Sequence, residues 1–195
     1  LGGSGDDLLE GGAGGDLIDG GSGFDTIDYS ASGSGVTVSL DGSAGLGGHA
    51  TGDTLLNIER VIGTGSADVI IGTAADETLE GGGGDDRLEG RGGADILDGG
   101  AGVDTADYSN SALGVTVDLA AGTGIGGDAQ GDTLIGIENL IGCSGADILS
   151  GAATDDYIQG GAGDDLLVGR AGADHLVGDA GNDTLDGGAG ADLLE

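Results

Sequence analysis

Proline, methionine and tryptophan are missing from this 195-residue chain, cysteine occurs once, and aromatic residues make up 2% of it. Each shortage removes a class of protein. Glycine is abundant at 50 residues, but a collagen helix needs glycine at every third position together with proline. The lone Cys143 excludes an intramolecular disulfide framework. Four basic residues, all arginine, stand against 36 acidic ones, so nothing forms the basic patch that nucleic acid or an anionic membrane requires. No apolar run approaches the ~20 residues of a membrane span, and no charged-then-apolar segment opens the chain. One Phe and three Tyr are too few to fill a thick core. A net charge of −32 with so few aromatics is the composition of a chain that stays unfolded by self-repulsion.

What the chain does have is a period. Written in nine-residue frames, residues 2–28, 63–107 and 142–195 hold three, five and six frames. Position one is Gly in all fourteen, position six is Asp in thirteen with Glu77 in the other, and position eight is Leu or Ile in all but Ala106. A 79-residue period lies on top: Tyr29 and Tyr108, Asp53 and Asp132, Glu59 and Glu138, and Arg91 and Arg170 are all 79 apart. Each such unit is a 34-residue insert, 29–62 or 108–141, followed by five frames. Both inserts alternate apolar and polar residues at Val36–Leu40 and Val115–Leu119, which predicts a strand. Both have a Gly/Ala-rich middle that reads as loop, then a Gly-Asp-Thr-Leu run and an Ile-Glu pair that read as strand returning to the array.

The glycines forbid helix and suit a tight turn over positions one to six, with carbonyl oxygens left uncovered. Positions seven to nine then form a three-residue strand with its aliphatic residue turned inward. Two frames make an 18-residue coil, and coils stacked at ~4.8 Å superimpose acidic residues 18 apart. Carboxylates at that spacing repel unless a cation lies between them. Carboxylates plus carbonyls are hard oxygen donors in flexible geometry, which favours Ca²⁺ over Zn²⁺ or Mg²⁺.

The frame G-G-x-G-x-D-x-U-x, as in Gly81-Gly-Gly-Gly-Asp-Asp-Arg-Leu-Glu89, resembles the RTX (repeats-in-toxin), haemolysin-type, calcium-binding nonapeptide repeat. The resemblance covers 126 of the 195 residues. It implies an all-β fold, a right-handed parallel β-roll, with calcium between coils. By that resemblance one frame gives the carbonyls of positions two and four, the frame two further on gives those of positions one and three, and each gives its position-six carboxylate. The first array then holds one site, from Gly3, Gly5 and Asp7 with Gly20, Ser22 and Asp25, while Asp16 occupies the same position in the frame between. The second array holds three: Thr64, Ser66 and Asp68 with Gly81, Gly83 and Asp86; Glu77 with Gly90, Gly92 and Asp95; and Gly82, Gly84 and Asp86 with Gly99, Ala101 and Asp104. The frame at 72–80 departs from the pattern, with Thr73, Ala75 and Glu77 in place of Gly, Gly and Asp. The third array holds four. Two of them join Cys143, Gly145 and Asp147 with Gly160, Ala162 and Asp165, and Ala152, Thr154 and Asp156 with Gly169, Ala171 and Asp174. The others join Gly161, Gly163 and Asp165 with Gly178, Ala180 and Asp183, and Arg170, Gly172 and Asp174 with Gly187, Ala189 and Asp192. The expected total is about eight ions, with further sites open at the array–insert boundaries.

The resemblance further implies a monomeric, secreted, extracellular module exported by type I secretion, which folds on meeting calcium outside the cell. Leu1 and Glu195 both fall at position nine, as in a piece cut from a longer array. Rival readings are an accessory module of an RTX protease, lipase or mannuronan epimerase, or a repeat unit of a large surface adhesin. Catalysis within the chain is not expected, because every carboxylate pair is repeated whereas a catalytic pair is unique. His49 and His175 are isolated and read as surface residues, Cys143 as a small turn residue, and Tyr29 and Tyr108 as caps on the ladder edge.

Overall fold

The computed structural model describes Leu1–Glu195 and is built almost wholly from short parallel strands. Within most frames the strand covers positions seven to nine, as in Leu17–Asp19, Arg87–Glu89 and Leu166–Val168, while Thr78–Gly83 and Ile96–Ala101 run on into the next turn and Gly3–Ser4 and Gly21–Ser22 pair within it. Strands pair in register with those 18 residues away: Leu79 with Leu97, Leu88 with Ile70 and Ala106, Leu149 with Leu167, Ile158 with Leu176. Alternate strands therefore fall on two opposed faces, an 11-stranded and an 8-stranded sheet, with two small two-stranded sheets near the N-terminal end. The chain is a parallel β-roll.

Position eight points between the faces. Ile27, Ile70, Leu79, Leu88, Leu97, Leu149, Ile158, Leu167 and Leu176 are completely buried there. This one-residue-deep ladder needs no aromatic filling, which is how so poor a set of large side chains suffices. The end coil is looser: Leu194 is 48% exposed.

The inserts continue the roll. Arg60–Ile62 pairs with Thr26–Asp28 on one side and Thr78–Glu80 on the other, and Thr54–Leu56 pairs with Leu17–Asp19. The second insert repeats this through Asn139–Ile141 and Thr133–Ile135. Val36–Leu40 and Val115–Leu119 supply the strands Thr37–Ser39 and Thr116–Asp118. The Gly/Ala-rich middle is more ordered than its composition suggests. Thr123–Ile125 runs antiparallel between Thr116–Asp118 and Thr133, and Leu46 makes the matching antiparallel bridge to Thr37. Each middle then turns through a short 3-10 segment, Gly48–Ala50 or Gly127–Ala129. The antiparallel excursions lie on opposite faces, the first against the strand that pairs with Val69–Ile71 and the second against the strand that pairs with Ile148–Ser150.

Tyr29 and Tyr108 do not cap an edge. They are among the largest fully or almost fully buried side chains, and their hydroxyls donate to Asp53 (3.0 Å) and Asp132 (2.9 Å). Each tyrosine and the aspartate it bonds belong to the same insert.

Candidate metal centres

The structure stacks position-six carboxylates in all eight pairs spaced by 18. Each is joined by the same rung, in which the backbone N–H of one acidic residue donates to one carboxylate oxygen of the next. Asp7 donates to Asp25, Asp68 to Asp86, Glu77 to Asp95, Asp86 to Asp104 and Asp147 to Asp165, each at 2.8 Å. Asp156 to Asp174, Asp165 to Asp183 and Asp174 to Asp192 follow at 3.0–3.1 Å. The rung fixes one oxygen of each carboxylate that accepts it, whereas Asp7, Asp68, Glu77, Asp147 and Asp156 begin their stacks and donate a rung without accepting one. In eleven of the fourteen turns, all but those of Asp16, Asp183 and Asp192, the fate of the second carboxylate oxygen separates two kinds.

In the first kind it has no donor. The Oδ2 atoms of Asp7, Asp25, Asp86, Asp95, Asp104, Asp165 and Asp174 are buried without a hydrogen-bond partner. A charged oxygen shut away from water and unpaired is strongly unfavourable. Each lies beside the position-one glycine of its own turn. A Cβ at Gly81 would meet both Asp86 Oδ2 and the Gly99 carbonyl of the next coil, and Gly160 and Gly169 show the same arrangement with Gly178 and Gly187. Glycine at position one is thus required by a close approach of two oxygens. In these turns the glycines at positions two and four adopt left-handed backbone, as at Gly82 (φ 99°) and Gly84 (φ 109°). Arg91, Arg170 and Asp179 hold the same conformation at position two without being glycine.

The turn carbonyls are not bare, as the glycine content suggests. Those of positions two and three accept backbone hydrogens across coils, as in Ala180 N–H to Gly161 O and Gly163 N–H to Ala180 O, both 2.8 Å. A carbonyl has a second lone pair, which remains for a cation.

In the second kind of turn the protein supplies the donors itself. The Thr64 N–H donates to Asp68 Oδ2 (2.6 Å) and its hydroxyl to Oδ1 (3.1 Å). Thr73 serves Glu77 in the same way through its N–H and hydroxyl. Cys143 serves Asp147 through its N–H (2.7 Å) and thiol (3.3 Å). The Ala152 N–H and the Thr154 hydroxyl serve Asp156 at 2.7 and 2.8 Å. These four frames are the first two after each insert. Their residues at positions two and four are mostly those that replace glycine, and none has positive φ.

Burial dominates the electrostatics. It pushes the Asp86 carboxyl up to about 6 and that of Asp95 up to about 8, with neighbouring carboxylates adding to both. Asp104 and Asp165 rise for the same reason. Arginine offsets little of this. Arg170 grips Asp118 of the second insert with two hydrogen bonds (2.7 and 2.6 Å), which holds that carboxyl below its usual range.

Nowhere do three His, Cys, Asp or Glu side chains gather as a metal-holding group. The donor set is instead a stacked pair of carboxylates completed by backbone carbonyls. All-oxygen ligands of this type suit Ca²⁺. The seven partnerless oxygens are where its charge fits.

The sequence pattern missed Asp53, Glu59, Asp132 and Glu138, which lie outside any frame. Asp16 N–H donates to Asp53 (2.9 Å) and Asp95 N–H to Asp132 (3.0 Å), while Asp25 N–H donates to Glu59 (2.8 Å) and Asp104 N–H to Glu138 (2.9 Å). They continue the rungs into the inserts. Their 79-residue repetition was the available signal. His175 is partly exposed and packs edge-on against Tyr157, 5.1 Å between ring centres.

A family model for the RTX calcium-binding nonapeptide repeat matches residues 1–27, 71–106, 132–167, 141–176 and 159–194, together more than half of the chain. Among curated proteins none matches.

Proposed function

Because the chain belongs to the RTX calcium-binding nonapeptide repeat family, we propose that this calcium-binding module folds when it meets extracellular calcium, as the non-catalytic part of a secreted protein. The observation that carries the reading is the set of seven buried carboxylate oxygens with no donor. Calcium, when bound, supplies the positive charge those oxygens lack. The chain's own residues do the rest. Glycines at positions one, two and four let backbone oxygens approach the carboxylate, and the N–H rungs keep successive carboxylates in line.

Magnitudes support a switch. At free calcium tenfold above Kd each ion contributes about 1.4 kcal/mol. Seven such ions give about 10 kcal/mol, the stability of a whole domain. Extracellular modules bind with Kd on the order of 0.1–1 mM, so sub-micromolar cytosolic calcium adds almost nothing and the chain stays unfolded there. That state suits type I export, followed by folding outside as a monomer. Every carboxylate pair recurs along the roll, which argues against a unique catalytic pair.

Circular dichroism tests the reading. Chelator should give a coil spectrum and millimolar Ca²⁺ a strand spectrum, while millimolar Mg²⁺, which demands near-octahedral geometry and holds its water, should leave the coil. Equal strand content in chelator and in Ca²⁺ would overturn it.

A further inference from the structure

Three of the seven partnerless oxygens, those of Asp25, Asp95 and Asp104, belong to carboxylates for which the residue 18 further on lies within an insert. The Asp95 N–H donates to Asp132, whose other oxygen already takes the Tyr108 hydroxyl; opposite Glu59 and Glu138, by contrast, stand Asp25 and Asp104. Both are nevertheless at most 1% exposed, with Oδ2 unpaired. We infer that each insert closes a calcium site of its own, with Glu59 completing the site of Asp25 and Glu138 that of Asp104. The inference rests on the calcium-binding reading above and adds sites outside the nonapeptide pattern.

The geometry at these junctions copies that inside the arrays. A Cβ at Gly20 would meet Asp25 Oδ2 and the Asn57 carbonyl, and one at Gly99 would meet Asp104 Oδ2 and the Gly136 carbonyl. These are the same two oxygens that converge over Gly81. The insert therefore delivers a carbonyl to the position-one place of a following coil. It does so with left-handed backbone, at φ 51° for Asn57 and φ 57° for Gly136. Asparagine is among the few residues with a side chain that tolerate this conformation.

The acidic residue matches as well. In a frame the carboxylate follows position one by five residues, but Glu59 follows Asn57, and Glu138 follows Gly136, by only two. Glutamate, one methylene longer, reaches the rung from this shorter turn. One oxygen of Glu59 takes the Asp25 N–H and one oxygen of Glu138 the Asp104 N–H, which leaves the second oxygen of each for an ion.

The chain also shows what it does where a carboxylate is satisfied without a cation. It places a tyrosine hydroxyl on Asp53 and Asp132, and Thr, Cys or backbone donors on the turns after each insert. Asp25 Oδ2 and Asp104 Oδ2 receive nothing of the kind.

The test has two arms. Wild-type crystals grown in calcium should show anomalous peaks between Asp25 and Glu59 and between Asp104 and Glu138. In solution, equilibrium dialysis at saturating calcium should find one ion fewer for Glu59→Gln, one fewer for Glu138→Gln and two fewer for the double variant, with exposed Glu10→Gln unchanged. Peaks within the arrays but none at the junctions would overturn the inference and leave calcium binding intact. No calcium anywhere would overturn the underlying reading itself. Should a variant fail to fold, the wild-type peaks decide.

Discussion

Replacing Leu97 by Ala probes how a one-residue-deep core and a ladder of ions share the work of holding the fold. Leu97 is completely buried and sits in register between Leu79 and Leu134. Leu→Ala substitutions of this kind cost about 3 kcal/mol or somewhat more, because the cavity collapses only in part. Neighbouring coils are fixed by backbone rungs above and below, so little collapse is available here. If folding takes up seven ions, one for each partnerless oxygen, that loss is spread over seven binding events at about 0.4 kcal/mol each. A rise of about twofold in calcium concentration restores it. The assay is a calcium titration followed by far-ultraviolet circular dichroism, with urea unfolding at saturating calcium to measure the loss of about 3 kcal/mol independently. An unchanged midpoint alongside a measured loss of stability would refute the linkage. A shift of about tenfold would mean that only about two ions are coupled to folding.

Protons should partly replace calcium. With Asp86 raised to about 6 and Asp95 to about 8 by burial, their folded-state pKa lies above the unfolded one. Their contribution to metal-free stability is then full below about pH 4 and lost as pH rises through about 6–8. In chelator, strand content should be higher at about pH 4 than at about pH 8, and Asp95→Asn should flatten the upper part of the profile; a stability that rises with pH would refute this. Tyr108→Phe strips the only side-chain donor from Asp132 Oδ2 and should cost about 1–3 kcal/mol in urea unfolding at saturating calcium; no loss would mean that the hydroxyl is dispensable. Gly163→Ala puts a Cβ against the Gly145 carbonyl at φ 133° and should destabilise by well over about 1 kcal/mol, whereas Ala162→Gly next to it should cost less.

The roll itself is legible because its signal is periodic: glycine at positions one and four, acid at six and aliphatic at eight state the turn, the ligand and the core in every frame. Stacking at 18 residues follows from those columns alone. The distinction between turns is not legible in that way. Thr64, Thr73, Cys143 and Ala152 look like tolerated small substitutions until their N–H groups are seen on the carboxylates of their own frames. The inserts are legible only at their edges. Composition marks the Gly/Ala-rich middle of each insert as loop, while the antiparallel Thr123–Ile125 strand within the second depends on partners before and after it. Sequence places the tyrosines as caps on the ladder edge because they follow the last frame of an array; their burial depends on Asp53 and Asp132, 24 residues on, which only the folded chain brings to their hydroxyls.

The two antiparallel excursions project from opposite faces because an odd number of frames, five, separates them. The roll has parity. Gaining or losing a single nonapeptide between the inserts would move the second excursion across to the same face as the first and exchange the edges on which every later carboxylate stacks. Adding or removing a pair would shift everything along the axis and leave the faces as they are. Length variation that preserves the decoration of this module therefore comes in steps of two frames, and a solitary nine-residue change is a rearrangement of its surface.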